Sequence, residues 1–285
     1  MIRPGEQYGT LRPDLCEELG CPPVPVIAVA THDTASAVVS APASDKDFVY
    51  ISCGTWSLFG TENEVPVINE ASAAANFTNE GGYGGTTRFL KNIIGLWLIQ
   101  ESRRQWIREG QEVTFAMLEK EAMAEAPFRS FINVADPAFE GPGNLPRRVR
   151  EYCEKTGQPV PENRGQVMRC IYESLAMKYR FTFLQLQELT GKTYRSIHVV
   201  GGGIKDTLLC RMAADACNAR VLAGPAEATA TGNAAVQFIS LGELSDLWEA
   251  RAAVARSTDL KVYEPVDPAS WESQYERYLK VTGQA

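Results

Sequence analysis

Runs of apolar residues alternate with polar, glycine-containing segments along most of this 285-residue chain. Short runs bounded by turn residues predict strands, whereas longer stretches with apolar residues every three or four positions predict helices. The predicted strands are 24–30, 48–52, 56–59, 73–78, 196–200 and 220–223. The predicted helices are 34–41, 88–108, 163–190, 206–217, 234–241 and 271–281. This order predicts an α/β fold that opens with a β-meander and continues with strand–helix alternation.

Three segments refine this picture. The first 25 residues are rich in proline and glycine and predict irregular connection, and 133–149 predicts a loop for the same reason. The run 24–30 predicts a short buried strand. Cys53-Gly54-Thr55 joins two β-rich runs and is typical of a hairpin tip.

Composition narrows the class of protein. The chain is 45% hydrophobic and 22% charged, with a net charge of −7, as in ordinary globular proteins of about two domains. The acidic balance disfavours nucleic acid or an acidic membrane as the main partner. No apolar stretch reaches the roughly 20 residues of a membrane helix, and the first 20 residues lack the apolar centre of a signal peptide. We therefore expect a cytoplasmic protein.

Cysteine and histidine usage argues against a metal centre built from these residues. The seven cysteines form no Cys-x-x-Cys pair, and the chain has two histidines, His32 and His198. Zinc would have almost no set of ligands to draw on, so no metal-ligating residue is assigned. Cys153 and Cys170 flank a polar loop and could meet in space. A disulfide between them is not expected in a reducing compartment.

The first stretch that could carry chemistry is the pair His32-Asp33, where an apolar run gives way to a predicted helix. As a cap, Asp33 would accept hydrogen bonds from free N–H groups of the first helical turn. As a general base, the same carboxylate would accept a proton from a substrate hydroxyl. The residues alone leave both readings open.

Three glycine-containing stretches are further candidates. Gly201-Gly202-Gly203 lies between a predicted strand and a predicted helix, where backbone N–H groups can approach a phosphate. It is not a dinucleotide fingerprint, because Asp206 stands where the third glycine would be. Cys53–Ser57 can present a threonine hydroxyl to a phosphate. Segment 224–234 is rich in small residues, and Thr231 or Asn233 could hydrogen-bond to a planar ligand. Each stretch also fits an ordinary turn.

Taken together, these stretches resemble the rhamnulokinase group of the FGGY carbohydrate kinase family. The resemblance runs from about residue 22 to 245 and rests on motifs in the same order: VIAVATHDTASAV, ISCGTWSLFG, NFTNEGG, LKNIIGLWLIQES, IHVVGGGIKDTLL, ADAC and GPAEATATGN. It implies an actin-like (ribonuclease H-like) ATPase domain. It also implies an ATP- and Mg²⁺-dependent phosphotransferase that acts on L-rhamnulose.

The resemblance assigns roles to individual residues. It implies that Asp33 is the catalytic base and that His32, Asp33, Thr34 and Asn92 contact the ketose. It implies that Thr55 meets the ATP phosphates. Gln100 and Gly202 would line the nucleotide pocket, Gly202 because a side chain there would collide with the nucleoside.

One departure from the family pattern shapes the expected organisation. Members of the family begin with a hairpin bearing an Asp-x-Gly-Thr/Ser type of motif, and nothing like it precedes residue 24. We therefore expect most of the N-terminal domain to be missing. Residues 1–45 would be its last strand and catalytic loop, 46–245 the C-terminal nucleotide-binding domain, and 246–285 a helical tail.

Such a chain is expected to have little activity alone and an exposed domain interface through which it could self-associate. Two alternatives stay open. One is a nucleotide-binding half-kinase or partner module without catalysis, and the other is an FGGY kinase for a different ketose or polyol.

Overall fold

A computed structural model describes residues 2–30 and 32–284 of the chain. Its centre is a seven-stranded mixed sheet with strand order β5-β6-β4-β3-β7-β8-β9. Strands β3, β7 and β8 run parallel at the middle of the sheet, and the outer strands pair antiparallel. These strands are β3 (Val49–Cys53), β4 (Trp56–Asn63), β5 (Thr78–Gly81), β6 (Thr87–Ile94), β7 (Ser196–Val200), β8 (Arg220–Ala223) and β9 (Lys261–Tyr263). A separate antiparallel pair is formed by β1 (Gln7–Thr10) and β2 (Pro25–Ile27).

Helices cover both faces of the large sheet. In chain order they are α1 (Pro13–Leu19), α2 (Asp33–Val39), α3 (Glu70–Ala74), α4 (Trp97–Arg108), α5 (Phe115–Ala124), α6 (Leu145–Lys155), α7 (Arg164–Thr190), α8 (Thr207–Cys217), α9 (Ala228–Ser240), α10 (Leu247–Ser257) and α11 (Pro268–Thr282). Strand β3 shows why both faces are covered, because its side chains alternate between two cores. Val49 and Ile51 pack with α7 and α8, whereas Tyr50 packs with α2.

Many predicted elements are confirmed within a few residues. The strands β3, β7 and β8 and the helices α7, α8 and α11 fall where the hydrophobic pattern places them. Helix α7 ends at Thr190 and is capped by Gly191, which adopts the left-handed conformation (φ 67°) that glycine accommodates without strain.

The predicted helix 88–108 is wrong in its first half. Residues 87–94 form β6, and the helix begins only at Trp97. Leu90 and Ile93 mimic helical spacing, but they are buried in different cores on opposite sides of the sheet. A strand that is buried on both faces has no alternation to reveal it. Asn92 is therefore on a strand.

Other expectations need smaller corrections. The predicted strand 73–78 is the end of α3 and the start of β5. The first 25 residues contain β1 and α1, and β2 is not buried, since Val26 is 40% exposed. Helix α9 begins at Ala228, so most of 224–234 is helical, and α6 begins inside the predicted loop 133–149.

All seven cysteines are free thiols. Cys153 and Cys170 are both buried and lie near each other, and each shifts the pKa of the other thiol. No helix in the described part of the chain is both long and apolar enough to cross a membrane.

Candidate functional site

Asp33 is the first residue of helix α2, which packs against the central strand β3. Its Oδ1 accepts a hydrogen bond of 2.6 Å from the Thr34 N–H, and His32 Nδ1 lies 3.3 Å from the same oxygen. The side chains of His32 and Asp33 are 54% and 77% exposed. Asp33 is the first helical residue, and its carboxylate binds the N–H group of the next residue. The N-cap is His32, which makes no side-chain cap hydrogen bond, so the structure does not show Asp33 as the cap. The carboxylate still presents its surface to solvent, as the base reading requires.

Helix α2 is fixed in place by helix α9, which lies unusually close to it. A Cβ on Gly232 would overlap the carbonyl oxygen of Ser36, so only glycine permits this approach. The Thr229 hydroxyl donates to the Asp33 carbonyl (3.2 Å), and the Ser40 hydroxyl donates to the Ala228 carbonyl (2.9 Å). The small residues of 228–234 therefore allow α9 to pack closely on α2. The Thr231 hydroxyl donates to the carbonyl of Glu227, the residue before α9, and the Asn233 side chain accepts from Gln237.

The β3–β4 hairpin tip is held rigidly beside this helix. The N–H groups of Gly95 and Trp97 both donate to the Thr55 carbonyl, and the Leu96 N–H donates to the Gly54 carbonyl. The start of α4 thereby saturates the carbonyl groups of the tip. The side chains of Thr55 and Trp56 remain exposed on the tip.

A cleft of about 560 Å³ opens between the hairpin tip and the start of α2. Its lining brings together all the predicted sugar-side residues, with the phosphate-side Thr55. Asn92 reaches it because β6 pairs with β4 and places Asn92 opposite Leu58. The complete lining is His32, Asp33, Thr34, Ser52, Cys53, Gly54, Thr55, Trp56, Leu58 and Asn92.

A second cavity of about 200 Å³ contains the two predicted nucleotide-pocket residues, Gln100 and Gly202. Its other walls are apolar or charged: Leu96, Ile99, Phe115, Glu119, Lys205 and Asp206. The two cavities are neighbours, since the Thr55 hydroxyl lies 3.4 Å from Gln100 Oε1.

The three glycines of the loop 201–203 differ in the structural constraint that acts on each of them. Gly201 has φ 88°, which favours glycine, and a Cβ on Gly203 would overlap the Cys53 sulfur. Gly202 has neither constraint, because a Cβ there would meet nothing within 4 Å. The space above Gly202 is open toward the cavity.

Two carboxyl groups give this cavity an unusual acid–base character. Burial raises the pKa of Asp206, which accepts hydrogen bonds from the Leu209 N–H and the Tyr172 hydroxyl. Burial, together with the charge of Asp206, also raises the pKa of Glu119. In both groups, burial disfavours the charged form of the carboxyl.

Sequence reasoning missed several residues that line the two cavities. Leu58 could have been found, because it lies two positions after Trp56 and shares its strand face. Lys205 stands two positions after the glycine loop, where a basic residue is a signal for phosphate contact. Ser52, Phe115 and Glu119 carry no local signal, because only the fold brings them to the cavities.

Comparisons with known proteins agree with this geometry. The model of the FGGY family of carbohydrate kinases, C-terminal domain, matches residues 49–241. A rhamnulokinase of Bacteroides thetaiotaomicron is 46% identical over 96% of the chain and 56% of that protein. A rhamnulokinase of Bacillus subtilis is 41% identical over 94% of the chain and 54% of that protein. The chain thus spans a little over half the length of these relatives.

Solved structures show the same fold at low identity. A ligand-bound xylulose kinase of Lactobacillus acidophilus matches with a TM-score of 0.73 and 14% identity, over 98% of the chain and 56% of that protein. A Plasmodium falciparum glycerol kinase with ADP matches with a TM-score of 0.70 and 13% identity, over 96% of the chain and 54% of that protein. The predicted actin-like fold is confirmed, and the chain belongs to the FGGY family of carbohydrate kinases.

Proposed function

We propose that this chain carries the catalytic base and the nucleotide pocket of an ATP-dependent kinase that converts L-rhamnulose to L-rhamnulose 1-phosphate in rhamnose catabolism. The observation that carries the proposal is the meeting of His32, Asp33, Thr34, Asn92 and Thr55 in one cleft. The similarity to proteins named rhamnulokinase supports the choice of sugar.

In the proposed reaction, Asp33 accepts the proton of the C1 hydroxyl of the ketose. The hydroxyl oxygen forms a bond to the γ-phosphorus of ATP, and the bond from that phosphorus to the bridging oxygen breaks to release ADP. Phosphoryl transfer needs mainly positioning and charge stabilisation, which suits a site with one base and two adjoining cavities. Asn92 and His32 would orient the sugar, and the Thr55 hydroxyl would hold a phosphate oxygen.

The nucleotide fits the second cavity by its chemistry. Leu96, Ile99 and Phe115 offer apolar surface to a base, the open space at Gly202 admits it, and Lys205 supplies positive charge. Among residues 2–30 and 32–284, no group of three or more His, Cys, Asp or Glu side chains could hold a metal ion. Mg²⁺ commonly binds through one or two carboxylates plus substrate phosphates. We therefore propose that Mg²⁺ accompanies ATP.

The proposal is tested by replacing the base while measuring each ligand separately. In Asp33→Asn, we expect ADP affinity to stay the same and L-rhamnulose affinity to fall several-fold in calorimetric titrations. Asp47→Asn is the matched control, because Asp47 pairs with Lys192 away from both cavities. Unchanged L-rhamnulose affinity in Asp33→Asn would contradict the assignment.

We expect the chain's own turnover to be low, because catalysis requires both substrates to be held in near-attack geometry and the chain spans about half the length of its relatives. Any L-rhamnulose 1-phosphate seen by ³¹P NMR after long incubation should fall by at least about 100-fold in Asp33→Asn. Normal turnover by the chain would refute the first expectation.

The same titrations separate the alternatives. A nucleotide-binding partner module would bind ADP but no sugar. A kinase for another ketose or polyol would bind D-xylulose or glycerol more tightly than L-rhamnulose. The cysteine thiols fit action in the reducing cytoplasm, which we propose as its location.

A further inference from the structure

The second cavity contains two carboxyl groups, and the fold uses only one of them fully. Asp206 and Glu119 both line this cavity. One oxygen of Asp206 accepts from the Leu209 N–H (3.0 Å), and the other accepts from the Tyr172 hydroxyl (2.9 Å). The first of these bonds caps helix α8, and the second joins α8 to α7. The carboxyl group of Asp206 therefore has a structural task.

Glu119 is held much more loosely. The Thr207 hydroxyl lies 3.4 Å from Glu119 Oε2, which is long for a bond between two oxygens. Within residues 2–30 and 32–284, Glu119 Oε1 accepts no hydrogen bond. Burial raises the pKa of Glu119, and the neighbours that add to or oppose this shift, Asp206 and Thr207, are not cations. A ligand that covers this oxygen loses affinity unless it supplies a donor.

Helix α5 places the carboxyl group of Glu119 beside the proposed site of the base. Phe115 and Glu119 are four residues apart on α5, so they lie on the same side of the helix, and both line the cavity. The Thr55 hydroxyl, which we propose holds a phosphate oxygen, approaches the cavity at Gln100 on α4. Glu119 instead contacts Thr207 at the start of α8. The carboxyl group thus lies with the aromatic wall and not with the phosphate contact.

We propose that Glu119 accepts a hydrogen bond from the exocyclic amine of adenine and so favours a nucleotide whose base carries this donor. The inference rests on the proposed function, since it takes ATP as the phosphoryl donor and the second cavity as the place of its base. When adenine is joined to ribose, the amine is its hydrogen-bond donor, whereas its ring nitrogens accept. A carboxyl oxygen accepts such a bond whether the group is ionised or protonated.

The size of the effect can be measured with one change in the ligand. Purine riboside diphosphate differs from ADP only by a hydrogen in place of the amine. A hydrogen bond to a charged group is worth a factor of about 10 to 100 in affinity, and Glu119 is only partly buried. We therefore expect the chain to bind ADP about 10-fold more tightly than purine riboside diphosphate. A second comparison uses 2′-deoxy-ADP, which keeps the amine and lacks one ribose hydroxyl.

The test titrates the three nucleotides onto the chain and onto its Glu119→Met and Glu119→Gln variants. Glu119→Met removes the acceptor at similar length, so the preference for ADP over purine riboside diphosphate should fall to within about twofold. Glu119→Gln retains an amide oxygen and should keep most of the preference. Glu112→Gln is the matched control, because Glu112 is exposed, precedes α5 by three residues and does not line the cavity.

Each preference is a ratio of two affinities in one variant, so a general loss of folded protein would not change it. An undiminished preference for ADP in Glu119→Met, or no preference in the unaltered chain, would overturn the contact with the amine and leave the proposed function intact. If Glu119→Met instead lost a preference for ADP over 2′-deoxy-ADP, the carboxyl group would contact the ribose, which also overturns the proposal. Failure of the unaltered chain to bind any of these nucleotides would overturn the proposed function itself.

Discussion

At the scale of single residues, three consecutive glycines show how one motif combines separate requirements. Gly201 is needed for a backbone conformation, Gly203 for contact with Cys53, and Gly202 for neither. Because the fold does not require glycine at position 202, we attribute the open space there to the nucleotide that we propose as the ligand. A substitution series can therefore separate stability from binding within three positions.

We predict that Gly202→Leu leaves the free energy of unfolding within about 0.5 kcal/mol of the unaltered chain, since the new side chain points into open space. Its ADP affinity should fall at least about 10-fold, because the side chain would occupy the nucleotide cavity. Gly203→Ala should instead lower the free energy of unfolding by about 1–3 kcal/mol through overlap with Cys53. Urea unfolding and ADP titration measure the two effects, and equal ADP affinity in Gly202→Leu would contradict the assignment.

Candidate site residues could be proposed from the sequence only where a motif was local. Asp33 and Thr55 stand in short stretches whose chemistry is readable, and the resemblance broke the tie between a cap and a base. Asn92 lines the cleft with the other predicted sugar-side residues although it is on a strand and not on the predicted helix, because its assignment came from the resemblance. Phe115 and Glu119 needed the fold.

At the scale of elements, the packing of α9 on α2 determines where Asp33 lies. From the sequence, a planar ligand was one candidate contact for the small residues of 224–234, since small side chains permit close approach. The structure shows that the surface is a helix. A small side chain permits another surface to approach closely, but tertiary packing decides which surface does so.

Gly232→Ala tests this helix pair because its expected effect on stability is opposite to the usual effect of replacing glycine with alanine in a helix. In an exposed helix interior, replacing glycine with alanine stabilises by about 1 kcal/mol. At Gly232, we expect destabilisation by about 1–3 kcal/mol, because the new Cβ would overlap the Ser36 carbonyl oxygen. L-Rhamnulose affinity should fall with it while ADP affinity is retained. Ala234→Ser, on the exposed side of α9, is the control, and a gain in stability in Gly232→Ala would disprove the close contact.

Helix α7 contains two buried titratable groups with opposite effects on stability. Burial raises the pKa of Glu173 to about 7, although Arg169 opposes this shift. Burial and the nearby Lys91 lower the pKa of Lys178 to about 7. Between pH 4.5 and 7 the folded state holds a proton on Glu173 that the unfolded state lacks, so this group lowers stability as pH rises. Between pH 7 and 10.5 the unfolded state holds the extra proton on Lys178, so stability rises with pH.

We therefore predict that Glu173→Gln and Lys178→Met change the pH dependence of unfolding in different windows. Relative to the unaltered chain, Glu173→Gln should gain stability as pH rises from 4.5 to 7, by at most about 1.4 kcal/mol per pH unit. Relative to the unaltered chain, Lys178→Met should lose stability as pH rises from 7 to 10.5, because the unaltered chain gains stability over that range. Denaturant unfolding at closely spaced pH values measures both, and parallel curves would contradict the prediction.

At the scale of the whole molecule, the first 27 residues expose several apolar side chains. Tyr8 is 76%, Leu19 66% and Val26 40% exposed, on or near the separate β1–β2 pair. We propose that this surface is the domain interface expected from the sequence. Exposed apolar surface of this kind favours association between copies.

Sedimentation velocity tests that proposal. We predict that the apparent mass of the chain rises with concentration and that Tyr8→Ser combined with Val26→Ser shifts it toward the monomer. Val266→Ser is the control, because Val266 is 81% exposed at the other end of the sequence. A monomer over the full concentration range would refute self-association.

The hydroxyl of Thr55 lies 3.4 Å from Gln100 Oε1 and so joins the lining of one cavity to that of the other. A hydroxyl has one proton to donate, so a phosphate oxygen that accepts it from Thr55 would leave Gln100 without this partner. Under the proposed function, a ligand in one cavity would in this way change a group that lines the other. By thermodynamic linkage, the factor by which bound nucleotide raises the affinity for sugar must equal the factor by which bound sugar raises the affinity for nucleotide.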